Sequence, residues 1–425
     1  MNNNFKKYIV FWLSQSLSQL GSSMTCFALI LWVYTQEGSA MTVSLMSFFN
    51  YMPYIFVSIF AGNFVDKHKK KDIMLMSDIT AAVCSVTVFG LTLGGSLQVW
   101  HIYMVNFVIG FMNAFQSPAS SVAIGKLVPK DKMVQVSGMN SFSGNLVAIL
   151  SPVLASTIFA FGGLIPLLMI DLLSFVLAFF VLLIMIQIPE DEVRDVAKKS
   201  VFAGCADGFL YLKNNRLILV IMITMAMLNF FSRLTYENIL SPMILARSGN
   251  DSMALGIVNA AMGIGGIIGG IIVMTGKFSK NYAKMIYISA MISFLLGDVT
   301  MGLGRNVIFW AFAAIAASLP IPFINAGQNI IMYQTVPQEL QGRVFAVRNT
   351  VQYATIPLGI LLGGFLADYV FEPFMKTQNG VTAILHILVG NGAGSGIAVM
   401  FLCTGILGCL FSFIFYRQKD IRNLS

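Results

Sequence analysis

The chain has 425 residues, 57% of them hydrophobic and only 10% charged, with 35 Phe against 26 Lys and Arg combined and a formal net charge of +8. So few charges cannot cover a water-soluble body of this size, and a mean hydropathy of +0.80 calls for lipid as part of the solvent. That excludes a secreted domain, a cytosolic enzyme and a disordered regulator, while the five Cys, four of them inside apolar runs, exclude a disulfide scaffold.

A helix needs about 20 mainly apolar residues to cross the hydrocarbon layer. Twelve such runs follow in order: Tyr8–Tyr34, Met41–Val65, Ile73–Gly94, Ile102–Ile124, Val134–Phe161, Leu164–Ile188, Leu217–Leu245, Met253–Thr275, Ala283–Leu303, Val307–Tyr333, Val344–Val370 and Ile397–Tyr416. None alternates strictly, so the expected fold is an all-α membrane protein with twelve transmembrane helices, not a β-barrel.

Span 1 carries Gln15, Gln19 and Ser22 on one helical face, and span 2 carries Asn50. After span 2 comes Gly62-Asn63-Phe64-Val65-Asp66-Lys67-His68-Lys69-Lys70-Lys71. A Gly one turn before an Asp lets another helix approach where the carboxylate can meet a helix N-terminus, and the lysines face the membrane surface. Asp78 of span 3 lies near enough to that end to meet the loop lysines. Span 4 adds Asn106, Asn113 and Gln116, and span 6 adds Asp171.

The connector from Pro189 to Arg216 opens with a polar stretch and ends with Phe202, Cys205, Phe209 and Leu212 on one apolar face. That spacing predicts a helix lying in the membrane interface. It separates residues 1–188, with six spans, from residues 217–425, with six more. Span 7 places Asn229, Arg233 and Glu237 at i, i+4 and i+8. An ionisable side chain at a helix centre costs about 2.5 to 3.5 kcal/mol, so Arg233 and Glu237 are expected to neutralise each other along one face. Span 8 has two overlapping Gly-x-x-x-Gly pairs, Gly265 with Gly269 and Gly266 with Gly270, suited to close helix packing. Asp298 lies in span 9. Pro320 and Pro322 should bend or unwind span 10, which also carries Asn325, Gln328 and Asn329.

Assigning connectors alternately to two sides puts 22 cations on one and three on the other, Arg247, Arg305 and Lys376, with Arg233 inside a span. By the positive-inside rule both termini are expected in the cytoplasm, and the basic balance is a topological signal rather than a nucleic-acid footprint. The halves repeat weakly. Val128-Pro129 recurs as Val336-Pro337 and Gly62 as Gly270 at an offset of 208, and Asn113 as Asn325 at 212. Duplicated halves around a midplane site are a common transporter plan.

The connector after span 2 resembles the signature of the major facilitator superfamily, Gly-x-x-x-Asp-(Arg/Lys)-x-Gly-(Arg/Lys)-(Arg/Lys). Gly62, Asp66, Lys67, Lys70 and Lys71 match, while Lys69 stands where the second Gly belongs. Val336-Pro337-Gln338-Glu339-Leu340-Gln341-Gly342-Arg343-Val344, Pro357-Leu358-Gly359 and Ser151-Pro152 resemble the drug-exporter part of that superfamily. Glu372-Pro373-Phe374-Met375 and the run Gly390-Asn391-Gly392-Ala393-Gly394-Ser395-Gly396 look like its macrolide-efflux branch. The resemblance implies two pseudo-symmetric six-helix bundles and a cytoplasmic gate built from the signature residues with Gly342 and Arg343. It also implies a central cavity lined by span 7 among others, with spans 3, 6 and 9 as outer scaffold.

On this reading Glu237 titrates with the transported proton, Arg233 competes for it, and Asp171 is the reserve proton site. Asp78 and Asp298 are expected to be structural. Gln15, Gln19, Asn50, Asn113, Gln116, Asn229, Asn325 and Gln328 are expected to face a bulky amphipathic substrate, for which the abundant Phe and Met supply adaptable apolar surface. No phosphate-binding Gly-x-x-x-x-Gly-Lys-(Ser/Thr) loop occurs, and His68, His101 and His386 are scattered, so the expected drive is a proton gradient with neither ATP at such a loop, cofactor nor metal. The expectation is a monomeric, non-enzymatic exporter of macrolide-like molecules that works by proton antiport in the cell membrane and has no nucleic-acid partner. Export of a siderophore or peptide, lipid flipping, or a sensor without transport on the same scaffold stay open.

Overall fold

The computed structural model describes residues 3–128, 133–188, 213, 215–274, 281–337 and 341–418. Among them are twelve helices long and apolar enough to cross a membrane, and no strand. The spans are Lys7–Glu37, Ala40–Ser58, Lys70–Leu93, Val99–Ile124, Phe142–Gly162, Ile165–Met185, Ile218–Ser248, Ser252–Met274, Tyr282–Leu303, Val307–Met332, Ala354–Met375 and Ser395–Tyr416. Helical backbone is what lipid demands, because it satisfies every N–H and C=O within its own segment. The expected interfacial helix at Phe202–Leu212 lies outside the described residues.

The chain forms two compact units. Unit 1 comprises Met1–Gly38 and Leu45–Asp195; unit 2 comprises Ser39–Ser44 and Val196–Ser425. Span 2 is therefore shared: its first turn belongs to unit 2 and the rest to unit 1.

In unit 1, span 1 packs along spans 5 and 6, and span 3 packs along spans 4 and 6. An apolar cluster that includes Phe5, Tyr8, Phe11, Ile73 and Met74 fills its cation-rich end. Tyr8 is fully buried there, and its hydroxyl donates to Asn140 Oδ1 at 3.2 Å, which satisfies the one polar atom the ring brings inside.

In unit 2, spans 8 and 10 pack tightly, and span 7 packs against span 11. The two glycine pairs of span 8 divide. A side chain at Gly265 would run into Ser318 and Ile315, and one at Gly269 into the Leu319 carbonyl, whereas Gly266 and Gly270 face open space. Only the first pair brings backbones together. Span 10 breaks where its prolines predict, between the helices Val307–Ser318 and Ile321–Thr335.

Three spans contain a wider π-helical turn: Val181–Met185 in span 6, Ser293–Asp298 in span 9 and Leu366–Phe371 in span 11. Such turns re-aim the side chains they carry and recur at functional positions. Those in spans 9 and 11 carry Asp298 and Asp368. Between spans 11 and 12 lies a short apolar helix, Gly380–Val389, which the sequence reading leaves as a connector. Arg247 donates to Val389 O at 2.7 Å and Arg305 to Ile387 O at 2.6 Å, so two guanidinium groups serve the carbonyl end of that helix, where positive charge is favoured.

Candidate functional site

Span 7 is not the single continuous helix that its spacing predicts. It is α-helical over Arg216–Thr235, passes through a turn at residues 236–239, and resumes as Leu240–Ser248. Glu237 and Asn238 both sit in that interruption. The expected uniform face of Asn229, Arg233 and Glu237 is thus broken at its third member, because Glu237 belongs to the turn. The structure nevertheless joins Arg233 Nη1 to Glu237 Oε2 in a salt bridge. Their side chains are 26% and 27% exposed, so the pair is reachable rather than sealed in packing. Asn229 is not part of the pair: its amide donates to Met225 O, one turn back, at 3.0 Å.

The pair owes its position to span 11. A side chain at Gly359 would stand 2.8 Å from the Arg233 Cβ, and one at Gly363 would run into the Leu234 carbonyl. Glycine at both positions lets span 11 close on span 7. Next in the break, buried Asn238 donates to Ile360 O at 2.8 Å and to Ser44 Oγ at 2.6 Å. Ser44 Oγ in turn donates to Ala40 O at 2.8 Å.

That network leads to the start of span 2. Ser39 Oγ accepts the Thr42 N–H at 3.1 Å, as a helix N-cap does. The Asp368 carboxylate takes the next donors: Ser39 Oγ at 2.6 Å, Met41 N at 2.8 Å and Ala40 N at 3.2 Å. Three of the four N–H groups left open at a helix start are thereby met, and a negative charge sits at the positive end of the helix dipole. Asp368 is an acid within span 11 that the sequence reading passes over. Its position in an apolar run demanded a partner, and Ser39 ahead of a helical run is an N-cap signal, but nothing local links the two.

Three other acids within spans have neutral hydrogen-bond partners among the described residues. Asp171 accepts hydroxyls from Ser22 and Ser85, each at 2.8 Å. Asp298, 1% exposed, accepts Thr404 Oγ1 at 3.0 Å. The partner Asp78 shows among the described residues is an amide. Its Oδ1 accepts the Gln116 amide at 2.6 Å, and its Oδ2 is buried without a partner. Lys71 instead donates to Leu183 O and Ile186 O at 2.8 and 2.7 Å, closing the end of span 6, and Lys70 is buried.

Of the amides expected to meet substrate, Gln116 is thus engaged by Asp78, and Asn50 leans on Asn106 O at 3.5 Å. Gln19, Asn113 and Asn325 are exposed. Gln15 and Gln328 each bury an amide nitrogen that has no hydrogen-bond partner. The side chains of the signature residues Gly62, Asp66 and Lys67, and of Gly342 and Arg343, lie outside the described residues.

The family model described as Major Facilitator Superfamily matches residues 11–359. Macrolide efflux protein A of Streptococcus pyogenes is 26% identical over 374 residues, covering 86% of this chain and 91% of that protein. Multidrug efflux pump Tap of Mycolicibacterium fortuitum is 25% identical over 371 residues, covering 82% and 86%. Among solved structures, a bacterial homologue of the human lysosomal transporter Spinster superposes with a TM-score of 0.69 at 12% identity, covering 100% of this chain and 99% of that one. A bacterial homologue of the iron transporter ferroportin does so with a TM-score of 0.68 at 12% identity, covering 98% and 100%.

Proposed function

Because the chain belongs to the Major Facilitator Superfamily, whose members are transporters, we propose that it exports amphipathic small molecules of the macrolide type in exchange for protons. The observation that carries this reading is the Arg233–Glu237 pair, placed at a break in a membrane span and a quarter open to its surroundings. A carboxylate paired with an arginine can be released in two ways: a proton neutralises Glu237, or a cationic group on the substrate takes the place of Arg233. Each event excludes the other at the same oxygen atoms, which is the requirement for antiport. Asp171 is the reserve site, held meanwhile by two hydroxyls.

The efflux pumps related to this chain in sequence support the direction and the substrate class. Gln19, Asn113 and Asn325 are exposed amides able to orient a polar edge of the substrate, with apolar side chains taking the rest. In the proposed organisation, residues 1–188 and 217–425 are the two rocking bundles and 189–216 the cytoplasmic connector. Both termini are cytoplasmic and the working unit is a monomer. The cytoplasmic gate comprises Gly62, Asp66, Lys67, Lys70, Lys71, Gly342 and Arg343. One proton moving down a 100 mV potential supplies about 2.3 kcal/mol, enough to drive useful accumulation.

The test is growth of a macrolide-sensitive host on erythromycin with the wild-type protein, with Glu237→Gln and with no protein. The reading requires protection by the wild type and none by Glu237→Gln expressed at the same level. Equal sensitivity with and without the wild-type protein contradicts the substrate class; equal protection by both proteins contradicts the role of Glu237.

A further inference from the structure

The helix Gly380–Val389 joins spans 11 and 12, yet its pattern is the reverse of a connector that faces water. Val381, Ile384, Ile387 and Leu388 fall on one face at helical spacing, and each is between 45% and 76% exposed. The helix carries no Asp, Glu, Lys or Arg. Its two polar side chains turn inward instead: buried Thr382 donates its hydroxyl to Thr377 O at 2.9 Å, and His386 Nε2 donates to Met375 O at 2.9 Å. Polar groups towards the protein and aliphatic groups away from it suit hydrocarbon and not water.

The depth of the helix is set by the bonds along its inner side. Met375, which His386 holds, is the last residue of span 11. Arg247, which donates to Val389 O, stands one residue before the end of span 7, and the same guanidinium reaches Gly302 O, one residue before the end of span 9. From Thr382 to Val389 the helix rises about 10 Å, and over that length each of these partners lies within two residues of a span end, so the helix runs across the span ends at one level. Arg305, which donates to Ile387 O, is flanked by exposed Leu303 and Ile308 at the ends of spans 9 and 10, so apolar surface of the spans adjoins the helix. Lys376, Thr377, Gln378 and Asn379, which lead into it, are polar and exposed, as residues among lipid head groups are.

We propose that Gly380–Val389 is an interfacial helix that lies in the plane of the bilayer, on the side away from both chain ends, with Val381, Ile384, Ile387 and Leu388 among the acyl chains of that leaflet. Its partner is a phospholipid surface as such, because the face has no polar group with which to select a head group. The proposal rests on the twelve-span topology and not on proton exchange at Glu237.

The experiment reconstitutes the full chain in phosphatidylglycerol vesicles and reads the fluorescence that Ile384→Trp or Gln378→Trp adds to that of the four native Trp, with the wild-type spectrum subtracted. One set of vesicles contains phospholipid brominated high on its acyl chains, and another has iodide on both sides of the membrane. The signal added at 384 should lose most of its intensity to brominated lipid and little to iodide, and the signal at 378 the reverse. Trp itself favours the interface, and the 378 variant shares that preference, so the contrast between the two positions carries the result. Val381→Trp gives the same reading as Ile384→Trp if the latter does not fold. Quenching at 384 by iodide would place the face in water, quenching by neither agent would mean that a second copy of the chain covers it, and equal quenching at 378 and 384 would mean that no face is selected; each would overturn the proposal.

Discussion

The carboxylate of Asp368 receives the Ser39 hydroxyl at 2.6 Å across 329 residues of sequence, and with it the first two backbone N–H groups of span 2. Asp368→Ala strips those donors of their acceptor. Loss of a charged cap of this kind costs about 1 to 2 kcal/mol. Hydrogen exchange at Ala40 and Met41 should accelerate while exchange deep in span 12 stays slow. Unchanged protection at Ala40 and Met41 would mean that the cap contributes nothing.

Gly359 makes room for the Arg233 side chain, and Gly359→Val should push span 7 away. Overpacking of this sort costs about 1 to 3 kcal/mol where the neighbour cannot yield, and here the atom approached is the Arg233 Cβ, close to the backbone. The variant should lose drug protection although both members of the Arg233–Glu237 pair are still present. Retained protection at wild-type expression would show that close packing of span 11 on span 7 is not needed to position the pair.

Span 8 offers an internal control. Gly269→Val meets the Leu319 carbonyl beside the break in span 10 and should lower the melting temperature, whereas Gly270→Val, one residue on, meets open space and should not. Thermal melting of the two purified variants decides it; equal melting temperatures would refute the division of the two glycine pairs.

Gln116 supplies the hydrogen bond that Asp78 Oδ1 receives, and Asp78 Oδ2 already lacks one. Gln116→Leu should therefore cost about 1 to 3 kcal/mol, the penalty for a buried polar group left unsatisfied. The double variant Asp78→Leu, Gln116→Leu should be more stable than the sum of the two single changes predicts. Strict additivity in denaturation would mean that the two side chains do not act as a pair.

The twelve spans were legible because the rule behind them is local: about 20 apolar residues either cross the bilayer or do not. The Arg233–Glu237 contact was legible for the same reason, since i and i+4 neighbours meet on almost any helix. The break that places Glu237 in a turn had a local signal that the sequence reading passes over: Pro242 has no N–H for the Asn238 carbonyl one turn back, while the partners Asn238 finds there, Ile360 O and Ser44 Oγ, lie in distant spans. Asp368 and Ser39 were hidden likewise: each has a local signal, but their meeting is a property of the folded bundle. Gly265 and Gly266 lie about 100° apart on one helix, so sequence offers both pairs and only the neighbouring span selects between them. Gln116 as the partner of Asp78 was missed because depth in the membrane was legible and the rotation of spans 3 and 4 was not.

The central claim is that export is exchanged for protons at Glu237. Uptake of radiolabelled erythromycin into inverted membrane vesicles with an acidic interior, with and without an uncoupler, tests it most directly. Wild-type vesicles should accumulate drug, lose that accumulation when the uncoupler is added, and show none with Glu237→Gln. Accumulation that survives the uncoupler, or that Glu237→Gln supports as well as the wild type, would contradict the account.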